Sequence, residues 1–219
     1  VQLNAKPMRT RVKICGITSI EDMQRAVNAG ADAIGLVFYE KSPRNVSLAQ
    51  AKAIVQAMPA FVTSVALFVD ASPAFVQQVI EETGVDLLQF HGQESAAFCE
   101  GFARPYIKAV RMQADTDINA LAEVYASAQG LLLDTYKKGV PGGTGEAFNW
   151  QWITPETRGA LSLPIILAGG LTPANIADAI QTVQPWAVDV SGGVEAAPRE
   201  KSAEKIAQFI HAVHKQNYK

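Results

Sequence analysis

Short apolar runs alternate with stretches of helical spacing along nearly the whole chain. The runs fall at residues 12–14, 31–38, 62–69, 86–89, 106–110, 131–134, 164–168 and 187–190. Each is flanked by Gly, Pro or polar residues, as expected of strands covered on both faces. Amphipathic segments between them predict helices over 19–29, 47–58, 94–102, 115–126, 173–182 and 201–214, and another opening at Ser72-Pro73. Ser19, Ser47 and Ser72 stand where helix N-caps belong, and Pro73 occupies the first helical position. Between the sixth and seventh strands the chain instead runs through a glycine-rich loop, 135–145.

Eight βα units in 219 residues predict an α/β chain with a parallel sheet and helices outside it, closed as a single (β/α)8 TIM barrel over residues 8–219. An open doubly wound sheet is the alternative. The glycines argue against it: no GxGxxG follows the first strand, and the doublets Gly169-Gly170 and Gly192-Gly193 follow the seventh and eighth. The polar opening, 1–7, fits neither strand nor helix and reads as an extension or remnant before Met8.

Composition narrows the class. Hydrophobic residues make up 48% of the chain and charged residues 18%, enough apolar surface for a substantial core. A net charge of −2 supplies no basic field for nucleic acid or an anionic membrane. No apolar run approaches the about 18 residues of a membrane span. Two cysteines, Cys15 and Cys99, without CxxC spacing or a secretory leader, suit a reducing, cytoplasmic setting.

The chemistry-bearing residues gather at predicted strand ends, the rim where barrels bind ligands. Cys15 ends the first strand, where a thiol is a candidate nucleophile or base, although position alone favours core packing. Asp134 ends the sixth behind three leucines, a setting that favours a protonated carboxyl and a general acid, or else a helix cap. Gly169, Gly170, Ser191, Gly192 and Gly193 together read as a phosphate cup, whereas one doublet alone is merely a turn. Arg44, stiffened by Pro43, suits a carboxylate, or else is simply solvated; His91 reaches towards the mouth from the fourth strand, or else bonds a neighbouring carbonyl. His211 and His214 lie three apart on the last helix without a third ligand, so no metal site is read there. The loop 139–145 is a candidate closure over the ligand.

Lys13-Ile14-Cys15-Gly16-Ile17-Thr18, Ser42-Pro43-Arg44, Gln89-Phe90-His91-Gly92, Leu133-Asp134, Gly142-Gly143-Thr144-Gly145, Gly169-Gly170-Leu171 and Asp189-Val190-Ser191, in this order, resemble the phosphoribosylanthranilate isomerase family. The resemblance implies an Amadori rearrangement of N-(5-phosphoribosyl)anthranilate in tryptophan biosynthesis without cofactor or metal. It implies Asp134 as the acid that opens the furanose, Cys15 as the base at C2′ and Arg44 on the anthranilate carboxylate. It also implies Gly169, Gly170, Ser191, Gly192 and Gly193 on the phosphate, with His91 among the substrate contacts. The implied partner is a small phosphosugar, for a monomer or homodimer. Gly192 stands where the family usually has a second serine, Phe90 where leucine is common, and Asn149 where aspartate is. Other phosphosugar barrels, an epimerase or synthase, share the cup but not the pairing of Cys15 with Asp134. A non-catalytic phosphosugar sensor shares every binding residue.

Overall fold

The computed structural model describes residues 9–135 and 147–217. The stretch 1–7 and the proposed closing loop 139–145, with its Gly142-Gly143-Thr144-Gly145, lie outside the described residues. Eight parallel strands close a barrel in sequence order: β1 (Arg11–Cys15), β2 (Ala33–Phe38), β3 (Thr63–Phe68), β4 (Leu87–Phe90), β5 (Tyr106–Met112), β6 (Leu131–Thr135), β7 (Ile165–Leu167) and β8 (Ala187–Val190). β8 pairs back on β1, with Lys13 opposite Asp189, so no sheet edge is left open.

Helices α1 (Ile20–Asn28), α2 (Leu48–Gln56), α3 (Pro73–Thr83), α4 (Ala96–Glu100), α5 (Ile118–Val124), α6 (Pro155–Ala160), α7 (Ile176–Val183) and α8 (Ala203–Asn217) ring the strands. Their starts are chemically explicit. Ser19, Ser47, Ser72, Ser95, Asp117 and Thr154 each accept a hydrogen bond from a first-turn N–H, and Ser47 with Gln50 forms a reciprocal capping box. Such caps contribute about 1 kcal/mol each.

Strand alternation divides the core into two layers. Outward residues such as Ile14, Leu36, Phe68, Phe90, Leu133 and Val190 are buried under the helices. Phe68 sits between Phe38 and Phe90, with ring centroids 5.5 and 6.0 Å away. Inward residues form two smaller apolar groups, one with Ile107, Leu132 and Ile166, the other with Cys15, Val37 and Leu67. The barrel interior also holds the buried polar side chains of Lys13, Gln89, Asp134 and Asp189. Their position at the strands' carboxyl halves places the chemistry.

Three elements differ from the sequence reading. The segment before β7 contains α6, announced by Thr154-Pro155 in the same cap and first-turn pattern as Ser72-Pro73. Residues 195–201 form a hairpin of β9 (Glu195–Ala197) and β10 (Glu200–Lys201), so Lys201 is a buried residue of a short strand and α8 begins two residues later. Ser191 precedes a single 3₁₀ turn, Gly192–Val194, and makes no side-chain cap. The segment after β8 is therefore one short turn, without the N-terminus of a full helix.

Candidate active site

A cleft opens at the carboxyl ends of the strands. Cys15, Arg44, His91, Asp134, Gly169, Gly170, Ser191, Gly192 and Gly193 all line it, so every predicted site residue is brought to one cavity. Val37, Tyr39, Leu67 and Leu171 supply apolar wall.

Cys15 is 5% exposed at the end of β1. Gly35 on β2 makes room for it, because a Cβ there would stand 2.8 Å from Sγ and 3.0 Å from Lys13 Nζ. Lys13, on the same inward face of β1, is held by Asp189 Oδ1 at 2.9 Å. Burial pushes the Cys15 thiol up, while the Lys13 and Lys201 ammonium groups pull it back without prevailing. Lys13 acts to lower this thiol, but desolvation of a fully enclosed sulfur is larger. Lys13 itself is raised, since Asp189 and Cys15 together outweigh its own burial. The resting site therefore presents a thiol beside a lysine that stays charged.

Asp134 is 6% exposed at the end of β6. The Thr135 N–H donates to Oδ1 at 2.8 Å, and Oδ2 lies 3.0 Å from His91 Nε2. Both His91 ring nitrogens are occupied, since Nδ1 faces Gln89 Nε2 at 3.2 Å. The structure thus sets His91 beside the carboxyl as its partner. The residues that a cap at Asp134 would serve lie outside the described residues.

Arg44 reaches over Gly16, whose φ of +76° and missing side chain leave its path clear. The expected free guanidinium fork is already engaged: Nε and Nη2 each donate to a Glu195 carboxylate oxygen at 2.7 Å. Lys201 Nζ joins the same carboxylate at 2.9 Å. Burial works to raise Glu195, but the Arg44 hydrogen bonds and Lys201 hold it below its ordinary range. Lys201 is lowered, since burial costs its ammonium more than Glu195 returns. The pair benefits the carboxylate more than the lysine, in keeping with the lysine side chain's complete burial. Lys13, Arg44 and Lys201 thus share two carboxylates, Asp189 and Glu195, and of these five groups Arg44 and Asp189 line the cleft itself.

After β7, Gly169 and Gly170 take φ of +80° and +63°. Asn175 fixes their loop, accepting from Thr172 N at 2.8 Å and donating to Gly170 O at 2.9 Å. Gly193 packs directly on the Leu171 carbonyl, so the loops after β7 and β8 form one continuous backbone surface. Close backbone approach of this kind suits a phosphate.

Sequence reasoning missed Glu195, Lys201, Asn175 and the support from Gln89. Asn175 alone carried a local signal, standing just before the periodic run of α7. His211 and His214 lie on α8, away from the cleft residues. Among the described residues no three His, Cys, Asp or Glu side chains are grouped to hold a metal, and no helix is long and apolar enough to cross a membrane.

Comparison with known proteins places this cavity in context. Residues 12–212 match the family model described as N-(5'-phosphoribosyl)anthranilate (PRA) isomerase. The N-(5'-phosphoribosyl)anthranilate isomerase of Pseudomonas fluorescens (strain Pf0-1) is 60% identical over 203 residues, covering 93% of this chain and 98% of that one. The enzyme of the same name from Thiobacillus denitrificans is 56% identical, with 93% and 97% covered. The crystal structure of phosphoribosyl anthranilate isomerase from Thermotoga maritima superposes with a TM-score of 0.86 at 38% identity, over 94% of this chain and 99% of that chain. A phosphoribosyl anthranilate isomerase crystallised with reduced 1-(o-carboxyphenylamino)-1-deoxyribulose 5-phosphate gives 0.83 at 38%, with the same coverage. With a family match across nearly the whole barrel and relatives this similar along their full length, the chain belongs to the phosphoribosylanthranilate isomerase family.

Proposed function

We propose that this chain converts N-(5-phosphoribosyl)anthranilate to 1-(2-carboxyphenylamino)-1-deoxyribulose 5-phosphate, with Asp134 as general acid and Cys15 as general base. The observation that carries this reading is the placement of those two groups on one cleft, at the ends of β1 and β6, together with Arg44 and the glycine-built loops. The substrate has a carboxylate at one end and a phosphate at the other, and the cleft is lined by a guanidinium, Arg44, and by the glycine-built loops after β7 and β8.

In this reading Asp134 gives its proton to the furanose ring oxygen. The C1′–O bond breaks, and the nitrogen lone pair forms a protonated Schiff base. Cys15, as thiolate, takes the C2′ proton, and the C–H electron pair forms the C1′–C2′ double bond and neutralises the nitrogen. Loss of the 2′-hydroxyl proton and protonation at C1′ then give the aminoketose. The Lys13 and Lys201 ammonium groups near Cys15 support the thiolate at the moment it is needed and partly offset the burial that favours the thiol at rest.

Arg44 turns the part of its guanidinium left free by Glu195 to the anthranilate carboxylate. Gly169, Gly170, Ser191, Gly192 and Gly193 bind the phosphate, mainly through backbone N–H groups, as Gly192 has no hydroxyl. His91 acts on the substrate through Asp134. The protein works in the cytoplasm as a monomer or homodimer, with the phosphosugar as its only small-molecule partner. A turnover assay of the purified protein with phosphoribosylanthranilate, followed by loss of anthranilate-type fluorescence, tests the reading: steady conversion supports it, and its absence from well-folded protein overturns it.

A further inference from the structure

Lys201 adds nothing to the surface of the cleft, yet it touches two groups that reach it. Its side chain is fully buried and lies outside the cleft lining. Its Nζ donates to Glu195 Oε1 at 2.9 Å and to the Ser191 carbonyl at 3.1 Å. Glu195 holds Arg44, and Ser191 opens the turn that carries Gly192 and Gly193. One ammonium therefore joins the loop after β2 to the loop after β8.

The first branch orients the guanidinium. Arg44 carries N–H donors around its whole planar edge, and Glu195 takes those of Nε and one of Nη2, which leaves the Nη1 edge for a ligand. Lys201 pins the carboxylate that does this and so fixes the plane of the fork. The stem is guided too, since Arg44 Cδ and Ser191 Oγ both pack over the bare face of Gly16. Arg44 Nη2 passes 3.4 Å from the point where a Cβ of Gly192 would stand.

The second branch orients a peptide. A trans peptide is planar, with its C=O and N–H pointing in opposite directions. The Ser191 carbonyl turns inward to Lys201, and it also accepts from the Val194 N–H at 3.4 Å. The N–H of Gly192 belongs to the same peptide, so it is aimed away from Lys201 and towards the cleft that Ser191 and Gly192 line.

The hairpin carrying Glu195 and Lys201 is itself anchored. Lys201 N–H donates to Asp22 Oδ2 of α1 at 3.4 Å, and Lys205 of α8 donates through Nζ to the Glu195 carbonyl at 2.7 Å. Burial costs the Lys201 ammonium more than Glu195 returns, so a position that served stability alone would be filled as well by an apolar side chain.

We infer that Lys201 is a positioning residue for substrate binding: through Glu195 it sets the fork of Arg44, and through the Ser191 carbonyl it aims the Gly192 N–H at the ligand. The inference rests on the binding roles assigned to Arg44 and Gly192 above. It makes the two groups parts of one unit, so that losing the ammonium loosens both.

The test uses the full chain and measures kcat and KM for phosphoribosylanthranilate, the inhibition constant of inorganic phosphate, and the shift of the Gly192 amide in ¹H–¹⁵N NMR spectra on adding phosphate. In the unaltered protein phosphate should shift that amide, since its N–H faces the ligand. Lys201→Met, similar in length and uncharged, should raise KM about tenfold, keep kcat within about threefold and raise the phosphate constant about threefold or more. In an Arg44→Ala background the same change should raise KM only about threefold, because the arginine branch is already gone, and should weaken phosphate as much as before. A purely structural brace would lower the folded fraction and leave the constants of the folded protein where they were. An unmoved Gly192 amide in the unaltered protein, unchanged constants in folded Lys201→Met, or an undiminished KM factor in the Arg44→Ala background would each overturn the inference. Should Lys201→Met fail to fold, the Gly192 amide of the unaltered protein still decides the peptide branch. If phosphoribosylanthranilate is not turned over while phosphate shifts the amide and Lys201→Met weakens phosphate, the isomerase reading fails and the positioning of Gly192 stands.

Discussion

Arg44 and Glu195, 151 residues apart in sequence, meet in a two-pronged ion pair with both contacts at 2.7 Å. Lys201 closes the group from below with no exposed side chain. Removing the shared carboxylate leaves two cations with little water to solvate them. Glu195→Ala should therefore cost about 3 kcal/mol or more of folding stability at neutral pH, measured by urea unfolding.

The pH dependence of that loss has a definite sign. Glu195 is held below its ordinary value, so its stabilising contribution is fully present above about pH 4.3 and is lost as pH falls through the lowered folded value. Unfolding curves of the parent and of Glu195→Gln should accordingly converge on acidification from neutral pH. A gap that stays constant down to pH 2 would show that the carboxylate is not what the pair contributes.

Arg44→Ala should raise KM far more than it lowers kcat, because the carboxylate it meets is remote from the migrating proton. A loss confined to kcat would remove Arg44 from that role. Glu195 stiffens the guanidinium through contacts the substrate does not share, so Arg44→Lys, a single ammonium without a fork, should not restore binding.

The thiol offers a chemical readout. Since burial pushes Cys15 up and its two lysines only partly compensate, alkylation of Cys15 by iodoacetamide without substrate should keep rising past pH 9 instead of levelling near 8.5. Cys99, buried and pushed up to about 12, serves as the slower internal reference, the two being distinguished by peptide mass spectrometry. A Cys15 rate that reaches its plateau by pH 8 would mean that the ammonium groups dominate.

Local contacts made parts of this fold legible in the chain. Ser47 and Ser72-Pro73 announce their helices because a cap is a contact over three residues, and the runs ending in Cys15 and Asp134 announce strands because both faces are covered. Thr154-Pro155 carried the same signal for α6 and was hidden by the glycine-rich stretch before it. The link from Arg44 to Glu195 and Lys201 had no local trace: it depends on a seven-residue hairpin reversing at Arg199, whose φ of +74° no glycine marks. Gln89 was equally silent, since period-two alternation shows that it faces inward but not that His91 lies within reach. The cavity was legible as a set of strand ends. The network that sets its charge was not.

The acid and base pair is the centre of the account, and turnover of phosphoribosylanthranilate by Asp134→Asn and Cys15→Ser measures it most directly. Both changes keep shape, one removing the donor and the other replacing the thiol with a far weaker acid. Each variant should bind substrate nearly as the parent does and lose several orders of magnitude in kcat, about 4 kcal/mol or more of transition-state stabilisation. Near-parental turnover in both would contradict the assignment of the acid to Asp134 and the base to Cys15.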